Sequence, residues 1–150
     1  MTAALCHGTL VVLGSKGVLI TGPSGSGKST LALKLIVTGV GAGFFPRLVS
    51  DDQVRLSVER GALIGSVPSS IAGLIEVWGV GPTPIVHQES AKIDLLVKLV
   101  PKAQAPRLNE DCSETMEGIS LPMIELEAKN AEAASLAIMA KLRLGPFAAC

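Results

Sequence analysis

Apolar residues recur along this chain with two periods, and the short period dominates. Residues 9–13, 18–21 and 62–64 are brief apolar runs of strand length, and Val54-Arg55-Leu56-Ser57-Val58 alternates apolar with polar as a half-buried strand does. Gly14-Ser15-Lys16-Gly17 lies between the first two runs and predicts a hairpin, while Arg60-Gly61 predicts a second turn. Further strands are expected at 48–50, 74–78, 84–87, 93–100 and 121–126, with Pro101 ending the fourth of these. Residues 68–73 read as a loop or a single helical turn.

Two stretches carry helical spacing. Residues 29–38 hold Leu31, Leu33, Leu35, Ile36 and Val37, a well-buried pattern, with Gly39 as the expected stop. Residues 131–144 place Ala134, Ile138 and Leu142 on one face, Asn130 at the N-cap position and Gly145-Pro146 beyond the end. Residues 39–46 read as a glycine-rich connection, and 102–118 as a polar loop expected to be the most mobile segment. Many strands and two helices do not make the regular alternation of a doubly wound sheet.

Composition narrows the function classes. A chain of 150 residues is expected to form a single domain, 1–150, burying roughly 70% of the surface its unfolded form exposes. Cys6, Cys112 and Cys150 are odd in number and lack C-x-x-C spacing, which argues against a zinc site or a disulfide framework and for a reducing cytoplasm. Thirteen basic residues balance thirteen acidic ones without a basic run, so no nucleic-acid partner is expected. Lys34 and Thr38 interrupt the apolar stretch 31–45, which is shorter than a membrane span, and the N-terminus lacks a basic signal-peptide region. No membrane association is expected.

The strongest chemistry follows the strand-like run Gly17-Val18-Leu19-Ile20-Thr21. There Gly22-Pro23-Ser24-Gly25-Ser26-Gly27-Lys28-Ser29 fits the G-x-x-x-x-G-K-S/T phosphate loop, and a helical pattern follows it, as the motif requires. Gly22, Gly25 and Gly27 let backbone N–H groups turn inward around phosphate oxygens. Lys28 can reach the outer phosphates, and Ser29 offers a hydroxyl to Mg²⁺ at the start of a helix whose dipole favours an anion, with Thr30 next in the phosphate-binding stretch. A match to four such positions arises by chance at roughly one start in tens of thousands, so a nucleoside triphosphate with Mg²⁺ is the expected ligand.

Phosphoryl transfer also needs carboxylates, and few acids here sit among apolar neighbours. Asp51-Asp52 ends an apolar run, and Glu76 lies between Ile75 and Val77. Carboxylates in such settings call for an ion or a base opposite them.

Taken in order, His7-Gly8, the Pro-Ser-Gly-Ser-Gly-Lys-Ser loop, Leu48-Val49-Ser50-Asp51-Asp52, Leu74-Ile75-Glu76-Val77-Trp78-Gly79-Val80-Gly81, Arg107-Leu108 and Leu121-Pro122 cover nearly the whole chain. That ordered set resembles the catalytic domain of the HPr kinase/phosphorylase family, bacterial enzymes that phosphorylate a serine of the phosphocarrier protein HPr. The resemblance implies an α/β phosphate-loop domain, strand-rich with few helices, of the HPr kinase and phosphoenolpyruvate carboxykinase-like type. It implies ATP and Mg²⁺, HPr or a related phosphocarrier as partner, a hexameric homo-oligomer, and dephosphorylation by phosphorolysis. It gives Lys28 the phosphates, Ser29 and Glu76 the Mg²⁺, Asp52 the role of base, and Asp51 a supporting or metal-linked role. His7 and Arg107 match catalytic positions, and His87 has no counterpart and reads as structural.

The chain departs from the family pattern at four places. It starts just before His7, as expected of a short form without the N-terminal domain, and Thr30 stands where many members have Glu. Trp78 replaces an arginine beside Glu76, and Glu127-Ala128-Lys129-Asn130 shortens a stretch that the family links to dephosphorylation. Both of the latter lose cations, so the forward reaction is expected to exceed the reverse. Two rivals stay open: a small-molecule kinase, which the scarcity of arginines in any lid disfavours, and a nucleotide-binding regulatory module without catalysis.

Overall fold

Ten strands and two α-helices account for most of residues 4–148, the part of the chain that the computed structural model describes. Strands β1 (Ala4–Leu13) and β2 (Lys16–Thr21) form the expected hairpin, and α1 (Lys28–Ala42) follows the phosphate loop. Next come β3 (Pro46–Ser50), β4 (Gln53–Glu59), β5 (Ala62–Ser66), β6 (Leu74–Val77), β7 (Gly81–Pro84), β8 (Ser90–Val100), β9 (Cys112–Met116), β10 (Ile119–Glu127) and α2 (Ala131–Lys141).

The apolar runs are continuous because the central strands are covered on both faces. Val11, Leu13, Val18, Ile20, Leu95 and Val97 face a cluster with Leu31, Leu35 and Ile36 of α1 and Ile138 of α2. The alternate residues Leu10, Val12, Leu19 and Leu96 pack instead with Val54, Leu56 and Leu63. That second core is enclosed because the pairings close on themselves: β2 joins β1, β1 joins β4, β4 joins β5, and β8 pairs with both β5 and β2. β10 adds in parallel to β8, β9 forms the outer edge, and β6 with β7 makes a separate hairpin.

Four expectations change. The helix α1 does not stop at Gly39 but runs on to Ala42, where Gly43, at φ +79°, ends it by donating its N–H to the Gly39 carbonyl at 2.8 Å. Gly39 serves close packing instead, since a Cβ there would lie 2.5 Å from Phe44 Cε2 and 2.7 Å from Pro46 Cγ. Gly39→Ala should therefore lower stability by about 1–3 kcal/mol, the cost of overpacking, despite alanine's advantage in a helix of roughly 1 kcal/mol. An unfolding midpoint in urea equal to or above that of the parent would contradict this.

Part of the expected polar loop is a strand. Cys112–Met116 pairs with β10 across Glu117-Gly118, whose φ values of +49° and +80° suit a two-residue hairpin turn. An edge strand need not carry apolar residues on both faces, so its polar sequence hid it; Glu114 is held by an ion pair with Lys98 of β8. The third change is β7, which occupies Gly81–Pro84 rather than 84–87, while His87 makes one parallel bridge to Leu48. His87 Nδ1 lies 2.9 Å from the Ile85 carbonyl, and the ring covers Gly73, where a Cβ would come within 2.7 Å of it, as a structural role requires. Finally, α2 ends at Lys141 and not at 144; Asn130 caps its start by accepting from the Ala133 N–H at 3.2 Å.

Cys6 and Cys112 are free thiols, burial pushes the Cys6 thiol up, and Cys150 lies outside the described residues. Among the described residues no helix is long and apolar enough to cross a membrane.

Candidate phosphate-binding and acid–base site

The phosphate loop is shaped by its glycines. Gly25 and Gly27 have φ of +81° and +92°, a region that other residues enter only with strain. Gly22 meets a different demand: a Cβ there would lie 2.6 Å from the Ser26 hydroxyl. Gly27 caps α1 without any side chain, so the first-turn N–H groups stay open to an anion. Lys28 is buried and donates to the Gly22 and Pro23 carbonyls at 2.9 and 3.3 Å. An ammonium has three donors, which leaves one for an outer phosphate. The turn before α2 clamps the loop from outside, with the Lys129 N–H donating to the Ser26 carbonyl at 2.9 Å.

The two adjacent aspartates are held quite differently. β3 and β4 lie end to end along β1, with Leu10 opposite Ser50 and His7 opposite Gln53. Between them the Gln53 N–H donates to the Asp51 carbonyl at 2.8 Å, closing a three-residue turn centred on Asp52 at φ +67°. The Asp52 N–H donates to Thr9 Oγ1 at 3.2 Å, and its carbonyl accepts from the Gly8 N–H at 3.0 Å, so β1 pins this strained residue. The turn sends the two side chains apart.

Asp51 is buried and accepts three hydrogen bonds. Oδ1 takes the Thr9 hydroxyl at 3.1 Å and the Ser29 hydroxyl at 2.6 Å, and Oδ2 takes the Glu76 N–H at 2.9 Å. One carboxylate thus ties β1, the start of α1 and β6 together. Asp52 is exposed, and its Oδ1 has a single side-chain partner, His7 Nε2 at 2.6 Å.

Two clefts meet at these groups. One, of about 190 Å³, is lined by Ser24, Gly25, Lys28, Thr30 and Trp78, and the other, of about 390 Å³, by Asp51, Ile71, Leu74, Ile75 and Pro82. Ser29, Asp52 and Glu76 line both. The loop residues, the aspartate pair, Glu76 and His7 are therefore brought together. Arg107 is not: it is exposed in the loop after the short turn Lys102–Gln104 and lines neither cleft.

Sequence reading missed Thr9 and the second cleft. Thr9 is fully buried and bonds to both aspartates; the available signal was a hydroxyl at the head of an apolar run, two residues from His7. Among the described residues no group of three or more acids, histidines or cysteines forms a metal cage. Ser29 and Glu76 offer oxygen donors where the two clefts meet, the ligand type that Mg²⁺ takes.

The model of the HPr serine kinase C-terminal domain family matches residues 1–143. An HPr kinase/phosphorylase of Limosilactobacillus reuteri is 33% identical over 135 residues, which cover 82% of this chain and 40% of that protein. One from Clostridium botulinum is 47% identical over 75 residues, 50% of this chain and 23% of that protein. The chain spans less than half the length of these curated relatives. The solved structure of the Hpr(Ser) kinase/phosphatase from Coxiella burnetii matches with a TM-score of 0.79 and 30% identity, over 93% of this chain and 88% of that one. A phosphate loop, a tight turn between β3 and β4 carrying two aspartates, and a sequence match over residues 1–143 lead to one assignment: the chain belongs to the HPr serine kinase C-terminal domain family.

Proposed function

We propose that this chain catalyses ATP-dependent phosphorylation of a serine on the phosphocarrier protein HPr or a related carrier, and the reverse phosphorolysis. The observation that carries this reading is the junction of the two clefts at Ser29, Asp52 and Glu76. The triphosphate occupies the loop side, held by Lys28 and the open N–H groups of α1. The acceptor serine enters through the second cleft, past Ile71, Leu74 and Pro82. Asp52 takes the hydroxyl proton as the serine oxygen bonds to the γ-phosphorus and the bond to the ADP oxygen breaks. His7 orients Asp52, and Asp51, anchored by Thr9, positions Ser29 and Glu76 through one hydrogen bond to each. In reverse, an oxygen of inorganic phosphate bonds to the phosphoserine phosphorus as the bond to the serine oxygen breaks, Asp52 returns the proton to that serine oxygen, and pyrophosphate is the product.

Ser29 and Glu76 are the oxygen donors that would hold Mg²⁺, which when bound neutralises charge on the phosphates. Arg107 has no part in this account, because it lies outside both clefts. Glu76→Gln should raise the Mg²⁺ concentration needed for half-maximal transfer by roughly ten- to a hundred-fold, the range found when a ligand's support is lost. A Mg²⁺ titration that superimposes on the parent's would remove Glu76 from this role.

The direct test incubates the purified chain with MgATP and HPr and follows phosphate on the carrier's serine. Transfer to the protein is the expected result. Transfer only to a metabolite would make the chain a small-molecule kinase, and tight binding without transfer a regulatory module.

A further inference from the structure

We infer that Trp78 is the platform on which the nucleotide base stacks, so that this chain holds its nucleotide by an aromatic face as well as by the phosphate loop. The inference rests on the reading of that loop as a triphosphate site. The loop-side cleft, about 190 Å³, is smaller than the roughly 300 to 1,000 Å³ of sites that enclose a whole small molecule. It has room for phosphates, and a base carried on them extends past the cleft toward what borders its rim. Trp78 is the aromatic residue in that lining, and it is 92% exposed. A large apolar ring left in water beside a polar cleft is unusual, and aromatic rings are the side chains that bases stack on, whatever the base.

The local backbone accounts for the exposure. Sequence alternation placed Trp78 within a strand, but β6 ends at Val77, which pairs with Gly81, so Trp78, Gly79 and Val80 form the tip of the hairpin. Gly79 and Gly81 take φ of +86° and +97° with no atom within 4 Å of where a Cβ would sit. Both serve the turn and not packing, and they leave the tip free to settle against a ligand. The same hairpin carries Glu76, which couples the base platform to the junction of the two clefts. The acceptor has its own apolar route through Ile71, Leu74 and Pro82, which assigns the Trp78 rim to the nucleotide.

Trp78 is the chain's one tryptophan, so its fluorescence reports this site alone. MgATP should quench it, and magnesium tripolyphosphate, which has no base, should displace MgATP and restore the signal. By calorimetry, Trp78→Ala should bind MgATP about ten-fold more weakly while tripolyphosphate affinity stays within about two-fold, and Trp78→Phe should recover most of the loss. Equal weakening of both ligands would overturn the inference and make Trp78 a support of the loop. Unchanged MgATP affinity with a raised KM for HPr would overturn it in favour of carrier docking. If tripolyphosphate fails to bind the parent chain, the loop reading itself falls; if it binds and Trp78→Ala leaves MgATP unaffected, only the stacking inference does.

Discussion

Asp52→Asn is expected to lower phosphate transfer to the carrier by about 10² to 10⁴, the usual contribution of a positioned base, while MgATP affinity and thermal stability stay near those of the parent. Asparagine suits the test because it tolerates positive φ, so the turn at +67° survives the change. Its amide keeps the size of the carboxylate and loses the ability to take a proton. The partner substitution sharpens the test. Asp51→Asn would turn an N–H donor toward the Glu76 N–H or lose the acceptor for Thr9 and Ser29, an uncompensated buried contact worth about 1–3 kcal/mol. Asp51→Asn should therefore lower the melting temperature, and Asp52→Asn should not. Single-turnover measurement with preloaded MgATP separates the chemical step from binding. A larger loss in that step for Asp51→Asn than for Asp52→Asn would reverse the assignment within the pair.

Lys28→Met should weaken MgATP binding on the order of ten- to a hundred-fold, as expected for loss of charged hydrogen bonds to phosphate, and should reduce transfer by a further factor, because charge at the phosphates grows in the transition state. Methionine keeps the buried stem that alanine would remove. That matters here because Lys28 is packed into its loop and donates to two loop carbonyls. Some loosening of residues 22–27 is expected alongside the lost charge, so a modest fall in melting temperature is compatible with the reading. Calorimetric affinity for MgATP within two-fold of the parent, with transfer intact, would remove Lys28 from the site.

The phosphate loop was legible in the sequence because it is contiguous and its demands are local. Glycines at Gly25 and Gly27, the lysine and the serine each answer to a backbone conformation or to a ligand a few bonds away. The strand runs were legible for a related reason: burial on both faces leaves an unbroken apolar signature, as at residues 9–13 and 18–21. Asp51-Asp52 and Glu76 also stood out, since carboxylates among apolar neighbours need a partner.

How differently those two aspartates are buried and bonded was not legible in the residues themselves. Adjacent residues look alike in a sequence, and only the turn held by Gly8 and Thr9, more than forty residues away, buries one carboxylate and exposes the other. Long-range packing likewise turned Gly39 from a helix stop into a contact surface for Phe44, and edge position let the polar segment Cys112–Met116 be a strand. Arg107 shows the converse, a residue marked by family pattern that the chain's own loop leaves apart from the clefts. Local chemistry named most of the candidate residues, while the closed circuit of strands decided which of them meet, because contacts between distant segments depend on pairing register and packing that no short motif encodes.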